Sequence, residues 1–172
     1  MSVFLVPASQ ENIDATIKRV VPFDAAKTYL SEEFFEVLRN AYSADATGFH
    51  CWAFAREARA ISFFSKIEIG DIVLMSIRGT GGFSYACKVC FKGVLPELGR
   101  HLWPVVPGEP WDYIYFVSDI LPVEIDKGEF MADLGYSPNG DLYYARPLQN
   151  AAKRLFTAKY LSEDNFWKSL QR

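Results

Sequence analysis

The chain has 172 residues, of which 50% are hydrophobic, and this suits a single domain with a buried core. Its net charge of −3 argues against binding to nucleic acid through overall charge, but residues 51–100 carry seven Lys and Arg against four acidic residues. The apolar runs are too short to span a bilayer, no basic stretch precedes the first of them, and three cysteines fit a reducing compartment. We therefore expect a cytoplasmic protein with no membrane partner.

Helical patterns come first along the chain. Ser9 caps a short helix that places Ile13 and Ile17 on one face. Ser31 opens a second helix, whose inward stripe ends at Tyr42. These segments predict N-terminal helices that pack on a core formed by later residues.

Strand patterns follow. Alternation in "GFHCWAF" predicts a strand, and "REARAISFFSKI" predicts a short basic helix after it. "DIVLMSI" and "FSYACKVCFKGV" predict two further strands, joined by the glycine-rich hairpin loop "RGTGG".

The second half of the chain continues with a proline-rich loop. Beyond it, "YIYFV" and "LPVEI" predict two short strands, and Asp126 caps a helix that ends before Gly135. The segment after Leu148 predicts two short helices.

This order of elements predicts an α+β fold, a small mixed β-barrel surrounded by short helices. We expect N-terminal helices in residues 1–45, the barrel core in 46–147 and a C-terminal helical tail of the same domain in 148–172.

Enzyme signatures are absent from the sequence, which has no nucleophile elbow, P-loop or dinucleotide-binding motif. Cys87 and Cys90 have CxxC spacing, but an offset of three within a strand sends the two sulfurs to opposite faces. We expect one buried and one half-exposed cysteine, no metal, no cofactor and no catalytic residue.

Tryptophans interleaved with basic residues form the most informative pattern. A nucleobase stacks on an indole with roughly 1–3 kcal/mol, and nearby Lys and Arg neutralise phosphates. Trp52 lies within a predicted strand, and Trp103 lies in a loop that contains Pro104, Pro107, Gly108 and Pro110. The candidate phosphate contacts are Arg56, Arg59, Arg78, Lys88, Lys92 and Arg100. The alternative is that the aromatic rings simply fill a core.

The runs "FHCWAFA", "IGDIVLMSIRGTGGFSYACKVC", "LWP" and "WDYIYFVSDILPVEI", in this order, resemble the PUA-like superfamily, in particular the YTH and EVE domains that read modified bases. Residues 48–147 are also similar to the N-terminal recognition domains of McrB-type, modification-dependent restriction systems. The resemblance implies an aromatic cage that receives a base flipped out of the duplex. The cage residues that it implies are Trp52, Trp103 and Trp111, and Ala53 stands where YTH domains usually have a small polar residue. We expect His50 and Phe54 to line the rim of the base-binding site together with Ala53.

We therefore expect a non-enzymatic module that recognises a methylated base in DNA. Any nuclease or AAA+ motor of the restriction system would lie in another segment or subunit. Two alternatives stay open. One is a YTH-like or PUA-like reader of methylated or structured RNA, and the other is a small-molecule-binding or hydrolytic barrel that uses His50, His101 and Asp112.

Overall fold

The computed structural model describes residues 1–104, 111–138, 140 and 142–172. The strands in this part of the chain are β1 (Val3–Ala8), β2 (Val21–Pro22), β3 (Gly48–Phe54), β4 (Ile72–Ile77), β5 (Gly82–Val94), β6 (Tyr113–Asp126) and β7 (Arg146–Pro147). The helices are α1 (Gln10–Thr16), α2 (Phe23–Lys27), α3 (Glu32–Asn40), α4 (Ala58–Phe64), α5 (Pro96–Leu102), α6 (Lys127–Asp133), α7 (Asn150–Tyr160) and α8 (Glu163–Leu170).

The strands form one mixed sheet in the order β2-β3-β6-β5-β4-β1-β7. β1 runs parallel to β4, whereas the pairs β3–β6, β4–β5, β1–β7 and β2–β3 are antiparallel. The predicted α+β class and mixed sheet are therefore confirmed. Within the described residues β2 and β7 end the strand order, so the sheet is open there and not closed into a barrel.

The chain divides into two compact units. The first unit comprises residues 1–10, 70–88 and 119–172, and the second comprises 11–69 and 89–118. The sequence predicted three consecutive segments with boundaries at residues 45 and 147, whereas each compact unit combines separate segments of the chain. The three predicted segments stay a prediction.

The core of the first unit lies between strands β1, β4 and β5 and the last three helices. Every residue of β4 is buried, which explains why its sequence is almost continuously apolar. Phe130 of α6 packs against Phe83 of β5 at 5.5 Å between ring centroids and against Phe166 of α8 at 6.0 Å. Trp167 of α8 belongs to this core.

The core of the second unit joins one face of β3 and β6 to helices α2, α3 and α5. Phe49 of β3 contacts Phe116 of β6 at 5.2 Å between centroids and Phe23 of α2 at 5.9 Å. Leu38 of α3 and Leu98 of α5 are fully buried in the same cluster. This unit contains all three tryptophans that the sequence singled out as base-binding candidates.

Caps that the sequence predicted are present. The Ser31 side chain accepts a hydrogen bond from the Phe34 N–H at the start of α3, and the Asp126 carboxylate accepts one from the Glu129 N–H at 2.8 Å at the start of α6. Gly135 after α6 has φ +72°, the left-handed conformation that favours glycine at a helix end.

Other elements differ from the prediction. β1, α2 and α5 lie where no element was predicted, as do the two-residue strands β2 and β7. The two short strands predicted around Ser118 are one strand, β6, because Asp119 adopts φ +51° and shifts the alternation without ending the strand.

The cysteine prediction is confirmed, since Cys87 is buried and Cys90 is half-buried. None of the helices in the described part of the chain has the length and hydropathy of a membrane span.

Candidate nucleic-acid interface

The first candidate wall, Trp52, is placed by strand β3. β3 pairs antiparallel with β6, and Trp52 lies opposite Tyr115. Its neighbour Ala53 faces the core of the second unit, while Trp52 points to the other face of the sheet and is 3% exposed. The indole is therefore held by the sheet and not by a loop.

The second candidate wall, Trp103, is placed by helix α5. Trp103 is the C-cap residue, and its N–H donates to the Gly99 carbonyl oxygen at 2.9 Å. A Cβ at Gly99 would lie 2.2 Å from the Trp111 carbonyl oxygen, so only glycine lets α5 approach that backbone. Pro104 is described, but the predicted support from Pro107, Gly108 and Pro110 lies outside the described residues.

The three candidate tryptophans meet at Trp111. The rings of Trp103 and Trp111 are stacked, with 5.6 Å between centroids and 26° between planes. Trp52 meets Trp111 edge to face at 6.4 Å. We call these three residues the tryptophan cluster. A base inserted between two indoles needs about 7 Å between their planes, because each contact layer is about 3.5 Å thick. The Trp103–Trp111 pair is therefore closed in this conformation.

Polar atoms beside the tryptophan cluster are left unpaired. The indole Nε1 atoms of Trp103 and Trp111 are buried and have no hydrogen-bond partner among the described residues. The Asp112 carboxylate is fully buried; its Oδ2 accepts a hydrogen bond from Arg56, and its Oδ1 has no partner among the described residues. Each such atom costs about 1–3 kcal/mol until a ligand or water pairs with it.

The sequence analysis did not predict Asp112 as a base-binding residue. It named Asp112 only as a residue of the hydrolytic alternative. The signal was present: Asp112 is the one charged residue in the aromatic and apolar run from Trp111 to Val117. A carboxylate at the start of a buried strand needs a partner of opposite charge, and Arg56 is that partner.

His50 and Phe54 are turned toward other elements. The His50 imidazole lies beside the backbone of Thr16 and Ile17 at the end of α1, its buried Nδ1 has no hydrogen-bond partner among the described residues, and burial lowers its pKa below the ordinary value. Phe54 packs against Phe63 of α4 at 4.8 Å and against Tyr115 at 5.5 Å between centroids. These contacts do not bring either side chain to the Trp103–Trp111 stack.

Tyr42 supports the same strand pair. Its hydroxyl lies 3.0 and 2.9 Å from the carbonyl oxygens of His50 and Val117, both within donating distance of its one hydrogen, and thereby ties the segment after α3 to β3 and β6. Burial is the main reason that the pKa of Tyr42 is raised above its ordinary value, so the hydroxyl stays a donor.

The predicted phosphate contacts of the second unit already have partners. Arg56 pairs with Asp112 and Arg100 with Glu97. The Lys92 ammonium donates to the carbonyl oxygens of Phe64 and Ile67. Arg59 is exposed.

The remaining two predicted contacts belong to the first unit. Lys88 lies over the Trp167 ring at 4.8 Å from its centroid. Arg78 lies in the hairpin loop between β4 and β5 and forms no ion pair with any described residue.

Comparisons with known proteins agree with the fold. No protein-family model and no curated protein matches the chain. The N-terminal domain of Thermococcus gammatolerans McrB, solved bound to m5C DNA, is similar over 92% of this chain and 96% of that domain, with a TM-score of 0.65 and 17% sequence identity. The predicted resemblance to McrB-type recognition domains is therefore confirmed at the level of the fold.

Two further structures align over most of the chain. The human THYN1 protein in complex with 5-methylcytosine-containing DNA has a TM-score of 0.47 and 13% identity, and covers 95% of this chain and 99% of its own. A Pseudomonas putida protein has a TM-score of 0.47 and 13% identity, over 91% and 98% of the two chains.

Proposed function

We propose that this chain is a non-enzymatic DNA-binding domain that recognises a modified base by receiving it, flipped out of the duplex, at the tryptophan cluster. The observation that carries the proposal is the cluster itself: three indoles that meet at Trp111, with two buried indole N–H groups and a carboxylate oxygen of the next residue, Asp112, that have no hydrogen-bond partner among the described residues. The fold is shared with a McrB domain solved with m5C DNA, and this analogy supports the proposal.

In the proposal, entry of the base displaces Trp111 from its stack on Trp103. Trp111 is the less buried of the two indoles, so its movement exposes less new apolar surface. Flipping a base costs a few kcal/mol, and stacking on Trp52 and Trp103 offsets this at roughly 1–3 kcal/mol per base.

Asp112 is proposed to select cytosine. A carboxylate accepts a hydrogen bond from the exocyclic N4 amino group of cytosine, and an indole N–H can donate to a ring nitrogen or carbonyl oxygen of the same base. Oδ1 of Asp112 has no partner among the described residues and is the proposed acceptor, and Oδ2 stays with Arg56. A methyl group on N4 leaves one amino hydrogen but places a carbon at the edge that faces the carboxylate, whereas a methyl group on C5 leaves that edge unchanged. The proposed ligand is therefore a C5-modified cytosine.

Contact with the methyl group alone gives limited discrimination. One buried methyl contributes about 0.8 kcal/mol, which is less than a tenfold difference in affinity. We therefore expect the affinity for the modified duplex to exceed that for the unmodified duplex by less than tenfold. A larger preference requires that the cage leave an unmodified base poorly packed.

The test is a panel of otherwise identical labelled duplexes carrying 5-methylcytosine, 5-hydroxymethylcytosine, N4-methylcytosine, N6-methyladenine or no modification, with binding followed by fluorescence anisotropy. We expect the tightest binding with 5-methylcytosine. Trp103→Phe should weaken it at least tenfold, because stacking area and an N–H donor are lost. Trp167→Phe is the matched control, since both indoles are buried, at 7% and 4% exposed, and Trp167 lies in the core of the first unit.

A second pair of variants tests the role of Asp112. Asp112→Asn replaces the free acceptor by an amide and should lower the preference for 5-methylcytosine over the unmodified duplex. Asp133→Asn is its control, because Asp133 is an exposed acid paired with Lys159. If all duplexes bind equally, or if Trp103→Phe and Trp167→Phe behave alike while folded, the proposal is wrong. An RNA panel of the same sequence should bind more weakly.

The proposal extends to a partner. The similar McrB domain is the N-terminal part of a longer protein, so we propose that this chain supplies specificity to a restriction system whose nuclease or AAA+ motor is another segment or subunit. We expect m5C-dependent cleavage by the assembled system, abolished by Trp103→Phe and unaffected by Trp167→Phe. If m5C-dependent cleavage persists with Trp103→Phe, this chain does not determine which DNA the system cleaves.

A further inference from the structure

A cavity of about 360 Å³ lies within the first unit, at the hairpin that joins β4 to β5. Its volume is within the usual range for small-ligand sites. The residues that define its chemistry are Ser76, Arg78, Gly79, Lys127, Leu142 and Tyr143. All of them belong to one unit, so the cavity is a feature of that unit alone.

The cavity is positively charged. Arg78 and Lys127 line it, no carboxylate is among the described residues that line it, and neither cation forms an ion pair with a described residue. Their backbones are fixed, because the Arg78 N–H donates to the Ala8 carbonyl oxygen at 3.0 Å and the Lys127 N–H donates to the Gly81 carbonyl oxygen at 3.1 Å. Two anchored cations that face one space are suited to an anion such as phosphate.

The hairpin loop lines the cavity with two glycines, which have no side chains. Gly79 and Gly81 have φ +85° and +74°, a conformation that other residues adopt only with strain. A Cβ at either position would meet nothing within 4 Å, so the backbone there is open to a ligand. The Thr80 hydroxyl donates to the Ile77 carbonyl oxygen at 2.8 Å and fixes the turn.

An aromatic ring completes the site. Tyr143 is 70% exposed at the cavity, next to the apolar side chain of Leu142. An exposed ring beside cations is a platform for a nucleobase, because stacking needs a π face and tolerates any base.

We propose that this cavity binds a nucleotide, with its phosphate between Arg78 and Lys127 and its base on Tyr143. The site is separate from the tryptophan cluster and takes an unmodified nucleotide, so the inference goes beyond the proposed function. The nucleotide is either part of a nucleic-acid strand or free, and the experiment separates these two sources.

The first arm measures binding of a labelled, unmodified single-stranded oligonucleotide to the full chain between 25 and about 200 mM salt. The double variant Arg78→Gln/Lys127→Gln should bind at least tenfold more weakly at low salt. Loss of two phosphate contacts should also reduce the slope of log K against log salt by about 1.4 for a single strand. Lys153→Gln/Arg154→Gln removes two exposed cations of α7 in the same unit and is the matched control.

Tyr143→Ala separates stacking from charge. It should lower affinity about five- to a hundredfold while the salt slope stays unchanged, because no phosphate contact is lost. Arg78→Lys/Lys127→Arg keeps both charges and should restore most of the affinity, and urea unfolding of the Gln double variant checks that its weak binding is not a loss of folding.

The second arm adds dCMP, deoxycytidine or inorganic phosphate as competitors of the oligonucleotide. Displacement by dCMP and not by deoxycytidine identifies free nucleotides as ligands of the cavity. No displacement by dCMP, together with the loss in the double variant, identifies a nucleotide within a strand. The inference is overturned if the Arg78/Lys127 double variant binds strand and dCMP as tightly as the Lys153/Arg154 control.

The two proposals fail separately. If the cavity proposal holds, the double variant loses affinity for modified and unmodified DNA by the same factor, whether or not the chain discriminates between them. If the tryptophan cluster reads the base, Trp103→Phe lowers the ratio of the two affinities and leaves the salt slope unchanged.

Discussion

The tryptophan cluster of the second unit and the cavity of the first unit offer the same two chemical groups, aromatic rings and cations, in opposite states. In the cluster the rings pack against one another, and Arg56, whose partner Asp112 follows Trp111, is paired with a carboxylate. In the cavity Tyr143 is exposed, and Arg78 and Lys127 have no ion-pair partner among the described residues.

The difference matches two kinds of recognition. Discrimination of one methyl group needs a dry site of fixed shape, because contact energy and unpaired polar atoms count most where water is absent. Such a site is built like a core. Contact with any nucleotide needs charge and an open ring face, both of which work in water and weaken with salt. A site of this kind can lie at the surface at little cost in stability.

The largest contrast should appear in stability. Trp103→Ala removes a buried indole and should lower the free energy of unfolding by about 3–5 kcal/mol. Tyr143→Ala removes an exposed ring and should change it by less than about 0.5 kcal/mol. Urea unfolding of both variants measures the difference. Equal losses in the free energy of unfolding would contradict the assignment of Trp103 as a buried ring and Tyr143 as an exposed ring.

A second contrast concerns the cations. Arg56→Met leaves the buried Asp112 carboxylate without its partner and should cost about 1–3 kcal/mol, less than for a fully buried pair because the Arg56 side chain is 56% exposed. Adding Asp112→Leu should recover part of the loss, because the unpaired charge is gone. Arg78→Met should change stability by less than about 0.5 kcal/mol.

The measurement is a double-mutant cycle from urea unfolding, with Arg78→Met as the matched single variant. A coupling energy near zero between positions 56 and 112 would show that the pair contributes nothing to folding. A large loss in Arg78→Met would show that this cation holds the hairpin and is not free for a ligand.

The sequence predicts those features that depend on residues close together in the chain, and it misses those that depend on distant residues. The caps Ser31 and Asp126 and the alternation in β3 are local signals, and all three were read correctly. Helix α5 was missed because Gly99 in its interior disfavours a helix, and the reason for that glycine lies twelve residues away at the Trp111 carbonyl oxygen. Strand β1 was missed because an apolar run of this length has no periodicity of its own once both faces are buried.

The candidate sites divide in the same way. The sequence singled out Trp52, Trp103 and Trp111, and the structure brings these three together. The sequence did not predict the Arg56–Asp112 pair, whose members are 56 residues apart. It also did not predict the cavity, whose walls come from separate segments of the chain. Pairings of this kind are set by the sheet register and by tertiary packing, which composition and spacing do not encode.

The smallest expected effect is a pH response of the second unit, which contains both histidines of the chain, His50 and His101. Burial lowers the pKa of His50 below its value in the unfolded chain, which is about 6.5. The unfolded state therefore binds more protons between the two pKa values, and stability rises with pH through that window. The contribution is fully present above about pH 6.5 and is lost as the pH falls below it.

His50→Gln should remove this part of the acid decline and leave the slope above pH 7 equal to that of the parent. Urea unfolding between pH 5 and 8 measures both slopes, and hydrogen exchange of the β3 and β1 amides assigns the change to a unit. We expect the acid loss of protection in β3, where His50 lies, because protonation there places a charge in a partly buried site. A decline that is confined to β1, or that is unchanged in His50→Gln, would assign the pH response to other groups.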